Sequence, residues 1–382
     1  MPIHSLSRRL GCLALAAGIG AATLLAPTHA NANTEEAAVV RALDRAAHPL
    51  ASTEPGGHLR DLRPLGRLVG DAAVVGLGEA THGSHEFFTL KHRVFRYLVE
   101  HKGFRAFALE ASWSTGLRLN DYVHTGQGDP RQIMREEFRG AAPWQVEEYV
   151  ELIAWMRAYN QRNPHDMVSF VGDDAAYPTL GTELCDKVTA YVERTQPELL
   201  PKFDELYARV RTIPDADAFL ALPPAERKAM AHQAKQAYDL LRSQRPPTDS
   251  QAFEWTLQHA KVFADTLTML AYDLADPAEL AQAMLLRDRL MAETTVWWYE
   301  HTGQRILLSA HNGHIAYVSD MPEQYPKTQG AFLRDLLGRR YVTIGTTFGE
   351  GGFNSRGSDG LGRRRIGCRS RIRAVTSTRW TR

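Results

Sequence analysis

The sequence predicts an α/β fold in which a mainly parallel central sheet is flanked by helices and carries a helical insertion or lid. Three observations predict it. Short apolar runs alternate with amphipathic helical stretches, the pattern of parallel strands joined by helical crossovers. Between about residues 178 and 280 the strand-like runs vanish, and charged, Ala-rich helical sequence takes over. With 382 residues and 44% hydrophobic content, the chain can bury a large core of this kind.

The first element is a leader. Arg8 and Arg9 precede the apolar stretch LGCLALAAGIGAATLLA, and PTHANA then offers small residues for cleavage, so residues 1–30 read as a signal peptide. The apolar run of about 17 residues sits at the low edge of what a spanning helix needs. The expected mature protein is therefore soluble, secreted or periplasmic, and free of the membrane after cleavage. Cys12 stands at the start of the apolar run rather than after it, which argues against a lipid-anchored cysteine.

The first strand is the run DAAVVGLG, and SHEFFTLKHRVFRYLVEHKG follows as a helix with Phe87, Phe88, Val94, Phe95, Leu98 and Val99 on one face and Gly103 as its stop. FRAFALEA is the second strand, ending at Glu110, after which STGLRLNDYV opens a helix with a Ser or Thr cap. PWQVEEYVELIAWMRAYNQRNP reads as a long amphipathic helix with Pro143 at its start and Pro164 beyond its end. MVSFVGDD is the third strand, ending at Asp173 and Asp174. After the insertion, LRDRLMAETTVWWYEHTG is a helix stopped by Gly303, QRILLSAHNGHIAY a fourth strand ending at His311, and RRYVTIGTTFG a fifth.

Charge separates body from tail. The formal net charge is +1, yet residues 356–382 alone hold nine Arg against one acid, leaving the body over 31–355 acidic. A basic nucleic-acid footprint on the folded part is therefore excluded. The Arg-rich tail follows an abrupt break in style near Ser355. It reads either as a basic arm for anionic surfaces or as sequence beyond a change of frame or truncation. Removal of the leader leaves Cys185 and Cys368, whose wide spacing gives no ground to expect a disulfide.

The candidate site lies at the strand ends. Glu79 and His82 follow the first strand, with His85 and Glu86 close behind; Glu110 closes the second, Asp173 the third, and His311 with His314 the fourth. In a parallel sheet all of these share one edge, and open α/β sheets bind ligands outside the carboxyl ends of their strands. Singly, each has a bland reading as a cap, a turn or a solvated residue. Together, titratable groups at four independent strand ends point to a site.

No G-x-S-x-G elbow, H-E-x-x-H, Walker loop or C-x-x-C is present, so a serine or cysteine nucleophile has no support. What remains is water activation by His with carboxylates. An imidazole held by Glu takes a proton from water as it attacks a carbonyl, with an Arg or second His stabilising the oxyanion. The alternative uses Glu79, His82, His85, His311 and His314 as ligands of a divalent metal that activates the water.

GLGEATHGSHEFF, KHRVFRYLVEHKGF, ALEAS, the Trp155, Arg157 and Asn160 triplet, LRDRLMAE and SAHNGHI together resemble the erythromycin esterase family, which also includes succinoglycan biosynthesis proteins. The likeness runs in order over about residues 60–350. It implies a hydrolase that opens a carboxylic ester, in the best-known members a macrolide macrolactone, without a covalent serine intermediate and without a required cofactor. It further implies His82 as general base, Glu79 as its orienting partner, Glu110 and His311 completing the centre, and Arg287 and Arg93 holding charge. His85, His314 and Asp173 on the same edge are the expected substrate contacts. Thr294 departs from the family pattern, which leads one to expect Asn there. The expected partner is a small-molecule ester, with no feature selecting an oligomeric state. A distant likeness to haem-binding lipoproteins of ChaN type and to TraB proteins keeps a metal- or haem-binding role as the competing class.

Overall fold

Strands buried on both faces read as continuous apolar runs, and the central strands here do so. The computed structural model describes residues 29–138, 143–175, 179–244, 250–356 and 363–369. Five strands pair in parallel: β1 (Val74–Glu79), β2 (Phe104–Ser112), β3 (Ser169–Asp174), β4 (Arg305–His311) and β5 (Tyr341–Ile344). Their order is β3-β2-β4-β1-β5, so β4 enters late in the chain between β2 and β1. The predicted α/β fold with a mainly parallel sheet is thus the observed one.

Register fixes what meets at the carboxyl edge. Glu79 lies opposite His311, and Leu109 opposite Ser309. Gly78 makes the edge possible, because a Cβ there would collide with the Asn312 side chain in the short helical turn Asn312–Ile315.

The crossovers are capped as their sequences require. Helix α1 (His85–Lys102) follows β1 and stops at Gly103, which takes the left-handed conformation at φ 71°. Helix α2 (Trp113–Thr125) is capped by Ser112, whose hydroxyl accepts from the Thr115 amide. Helix α3 (Glu147–Arg162) begins four residues after Pro143, which sits in a turn rather than at the helix start; the N-cap falls instead at Val146. From Glu183 to Leu270 the described elements are helical, chiefly α4 (Glu183–Thr195), α5 (Pro224–Ser243) and α6 (Ser250–Leu270). Helix α7 (Pro277–Thr302) begins inside the stretch read as insertion, with Asp276 capping the amides of Ala278 and Glu279 and Gly303 ending it.

Each face of the sheet has its own core. One holds Phe95, Phe107, Tyr149 and Phe170 under α1 and α3; the other holds Ala108, Val171, Trp113 and Ile306 under α4, α6 and α7. Two further strands, β6 (Glu350–Arg356) and β7 (Arg363–Arg369), form an antiparallel ribbon, so part of the Arg-rich tail is paired backbone. The ribbon docks beside β1 through the Asn354 amide, which donates to the Gly83 carbonyl at 2.8 Å. Gly83 allows this approach, since a Cβ there would strike the Asn354 backbone. The leader over 1–30, except its last two residues, and the tail beyond 369 lie outside the described residues, as does the Cys368 side chain. Cys185 is a buried free thiol. Among the described residues no helix is long and apolar enough to cross a membrane.

Candidate active site

The end of β1 carries the most tightly held group. Glu79 is the last strand residue, fully buried, and each of its oxygens has a cationic or imidazole partner. Lys91 of α1 donates to Oε2 at 2.5 Å and also to the Ala310 carbonyl at 3.2 Å, while His82 Nδ1 lies 2.6 Å from Oε1. Burial alone would raise the Glu79 pKa, but Lys91 and His82 overcome it and hold the carboxyl below its ordinary value. Burial likewise draws Lys91 down against the pull of Glu79.

A carboxylate only accepts, so Nδ1 of His82 carries the hydrogen and Nε2 keeps its lone pair. About a third of the His82 side chain (31%) is exposed. Burial disfavours its cation, yet the hydrogen bond and charge of Glu79 win and raise its pKa above 6.5. The ring stands 5.2 Å from that of His311 and meets the edge of buried Trp144 at 5.4 Å.

His311 has the opposite character. Its Nδ1 accepts from the Gly313 amide at 3.1 Å, so in the neutral ring Nε2 bears the hydrogen. Burial first and the neighbouring His82 second lower its pKa below 6.5. The two imidazoles thus offer a lone pair and an N–H side by side.

Beneath them lies a closed charge network. Glu110 Oε2 accepts from the His311 amide at 3.1 Å, and Oε1 meets Arg287 Nη2 at 3.1 Å and His314 Nε2 at 3.3 Å. Arg287 also clasps Asp174 with both forks, Nε to Oδ1 at 2.8 Å and Nη2 to Oδ2 at 2.5 Å. His314 Nδ1 is 2.7 Å from Asp288 Oδ1, which is itself held by the Gln329 amide at 2.8 Å. Burial works against the charges of Glu110, His314 and Arg287. His314, His82 and Arg287 nevertheless keep Glu110 well below its ordinary pKa, and Asp288 with Glu110 keeps His314 well above. Arg287 Nη1 also lies 3.2 Å from His314 Nε2, which accepts from it when the ring is neutral with its hydrogen on Nδ1 towards Asp288.

Several expected residues stand elsewhere. Arg93 is buried, but its guanidinium binds the Ser52 and His58 carbonyls and Asp61, pinning the segment before β1. The reason is angular: two residues on from Lys91 is about 200° around the helix, hence the far side. His85 is half-exposed, with its ring nitrogens on Glu148 at 2.6 Å and Glu54 at 3.1 Å, turned from the centre and unavailable as the substrate contact expected. Asp173 is 1% exposed, bonded through Oδ2 to Gln329 and Thr295, and burial pushes its pKa up to about 8. It backs the network as a neutral acid, buried and held by Thr295 and Gln329. His314 is almost as deeply buried and positions Glu110. Of the residues proposed as a metal set, Glu79, His82 and His311 come together whereas His85 turns away, and among the described residues no group of three or more His, Cys, Asp or Glu is arranged to hold an ion.

Sequence reasoning missed Lys91. The signal was present, for Lys91 falls at i+3 and i+4 from Phe88 and Phe87 and before Val94 and Phe95, within the apolar stripe itself. An unpaired lysine cannot remain charged in such a face, so a buried acid was to be expected opposite it.

Comparison with known proteins agrees with this architecture. The family model described as erythromycin esterase matches residues 99–370, a stretch that includes Glu110, Arg287 and His311 but begins after Glu79 and His82. Erythromycin esterase type II of Escherichia coli is 24% identical over 346 residues, covering 78% of this chain and 74% of that protein. A Bacillus cereus protein of known crystal structure is 33% identical, with a TM-score of 0.78 over 87% of this chain and 79% of its own. A succinoglycan biosynthesis protein is 31% identical, with a TM-score of 0.73 over 84% and 77% of the two chains.

Proposed function

This chain belongs to the erythromycin esterase family and is a hydrolase of that family, and we propose that it cleaves a carboxylic ester with water activated by His82. One observation carries the reading. Glu79, fixed by Lys91, binds His82 Nδ1 at 2.6 Å and leaves Nε2 as a free base at a partly exposed edge.

The steps follow from the tautomers. His82 Nε2 takes a proton from water as the water oxygen bonds to the ester carbonyl carbon, and Glu79 stabilises the imidazolium that forms. Charge develops on the carbonyl oxygen, where the His311 Nε2–H, its ring 5.2 Å from that of His82, is the donor at hand. Collapse breaks the carbon–oxygen bond to the alcohol, which leaves with the proton returned by His82. No covalent enzyme intermediate and no cofactor enters these steps. Glu110 acts as a positioning residue, tying His311, His314 and Arg287 together.

The substrate proposed is a macrolactone, a reading supported by the name of the Escherichia coli relative. Export through the leader at 1–30 belongs to the same proposal and is tested by sequencing the N-terminus of the protein recovered from the periplasm or medium. The activity is tested by incubating the purified protein with erythromycin and measuring mass. Ring opening adds one water and releases no fragment. A gain of water that persists with chelator supports the proposal; a gain abolished by chelator moves the chemistry to a metal, and none from folded protein removes the macrolactone.

A further inference from the structure

Outside the candidate catalytic cluster, a groove of about 440 Å³ opens between α4 and α6, within the range of ligand sites. Lys187, Tyr191 and Arg194 line it from α4, and Trp255, Thr256 and His259 from α6. Three features set it apart from an ordinary crease between helices.

The first is charge. On the same helical layer Lys202, Arg209, Arg211 and Lys235 each hold a carboxylate, whereas Lys187 and Arg194 meet none among the described residues. Arg194 instead lies over the Tyr191 ring at 5.5 Å. Leaving two cations without acids on an acidic body is where an anion gains most.

Rigidity is the second. Trp255 packs against Trp113, Trp297 and Trp298 at centroid distances of 5.9, 4.8 and 5.5 Å, yet remains partly exposed to the groove. It offers a fixed flat face at little entropic cost. The third is a set donor. His259 Nδ1 accepts from Trp113 Nε1–H at 3.0 Å, and burial with Lys187 nearby lowers its pKa to about 4, so the ring is neutral with its hydrogen on Nε2.

We propose that this groove binds an acidic oligosaccharide, with a sugar ring lying on Trp255 and ring carboxylates reaching Lys187 and Arg194. The two cations are seven residues apart on one helix, about 10 Å along its axis, which suits repeated carboxylates on a chain better than a single acid. Thr256 and the His259 N–H supply partners for hydroxyls. Single-stranded nucleic acid would also stack on an aromatic face, but it draws its affinity from many cations along its backbone, and this groove has two.

The test is calorimetric titration of the full chain with trigalacturonate, with maltotriose as the neutral control and a short single-stranded oligonucleotide as the competing polyanion. The expected result is saturable binding of trigalacturonate, at least tenfold weaker for maltotriose and the oligonucleotide, and weakened at least tenfold by Lys187→Glu with Arg194→Glu. Both side chains are exposed, so the double variant should keep the wild-type circular dichroism. His82→Ala should bind trigalacturonate as the wild type does, which separates this groove from the catalytic centre. Absence of saturable binding, binding unchanged by the charge reversal, or equal binding of either control would overturn the assignment.

Discussion

The two halves of the candidate catalytic edge draw on similar residue types and arrange them in opposite ways. At the end of β1 one carboxylate, one ammonium and one imidazole are arranged so that a ring nitrogen is left over, namely Nε2 of His82. At the ends of β2 and β3, Glu110, Asp174, Asp288, Arg287 and His314 are closed upon one another, with both nitrogens of His314 on carboxylates. In the proposed reaction the first half moves a proton and the second holds charge in place. A titratable cluster is therefore read by what it leaves free as much as by what it pairs.

Variants that break this contrast should differ in kind as well as size. His82→Ala should lower kcat by about 100- to 10,000-fold, the usual worth of a positioned acid or base, with KM and melting temperature little changed. Assay of ester hydrolysis alongside thermal melting checks both. Lys91→Met should act first on stability, because Glu79 is then a buried charge without its cation. Loss of one partner of such a pair costs roughly 3–5 kcal/mol in denaturant unfolding, and activity should fall with it.

Asp173→Asn sharpens the comparison through pH. A folded pKa of about 8 against an ordinary 3.8 means that the native state holds this proton more tightly than the unfolded chain. Stability from this group is greatest below about pH 4, declines as pH rises towards 8, and is flat beyond. The Asn variant should lose that part of the slope in melts taken across the range and be no less stable than wild type at pH 8. The smallest effects on turnover belong to Arg93→Ala and His85→Ala. The first should lower the melting temperature by releasing the segment around Asp61, and neither should change kcat by more than about threefold, given their remoteness from His82.

Much of this edge was legible in the chain itself. Apolar runs ending in Glu79, Glu110, Asp173 and His311 gave both the parallel sheet and the placement of the site, because strand direction alone brings those ends together. Arg287 came only from the family likeness, since nothing in its helix marks it as facing Asp174. The misplacements were angular. Arg93 and His85 lie in the right motif on the wrong side of α1, and Lys91 was passed over although its place in the apolar stripe demanded a buried acid. Pro143 failed as a helix start because the residues between it and Glu147 are held otherwise, with Trp144 buried against His82. Whether a histidine faces substrate or a second acid depends on contacts across the sheet, which local spacing does not encode; His314 and Asp288, 26 residues apart in the chain, are the clearest case.

The central claim is the protonation pattern of His82, and ring-nitrogen NMR of histidine-labelled protein reads it without any substrate. With the signals assigned through His82→Gln, the account predicts that above its midpoint His82 carries hydrogen on Nδ1 and none on Nε2, and that this midpoint lies above pH 6.5. A neutral ring protonated on Nε2, or a midpoint below 6.5, would contradict it.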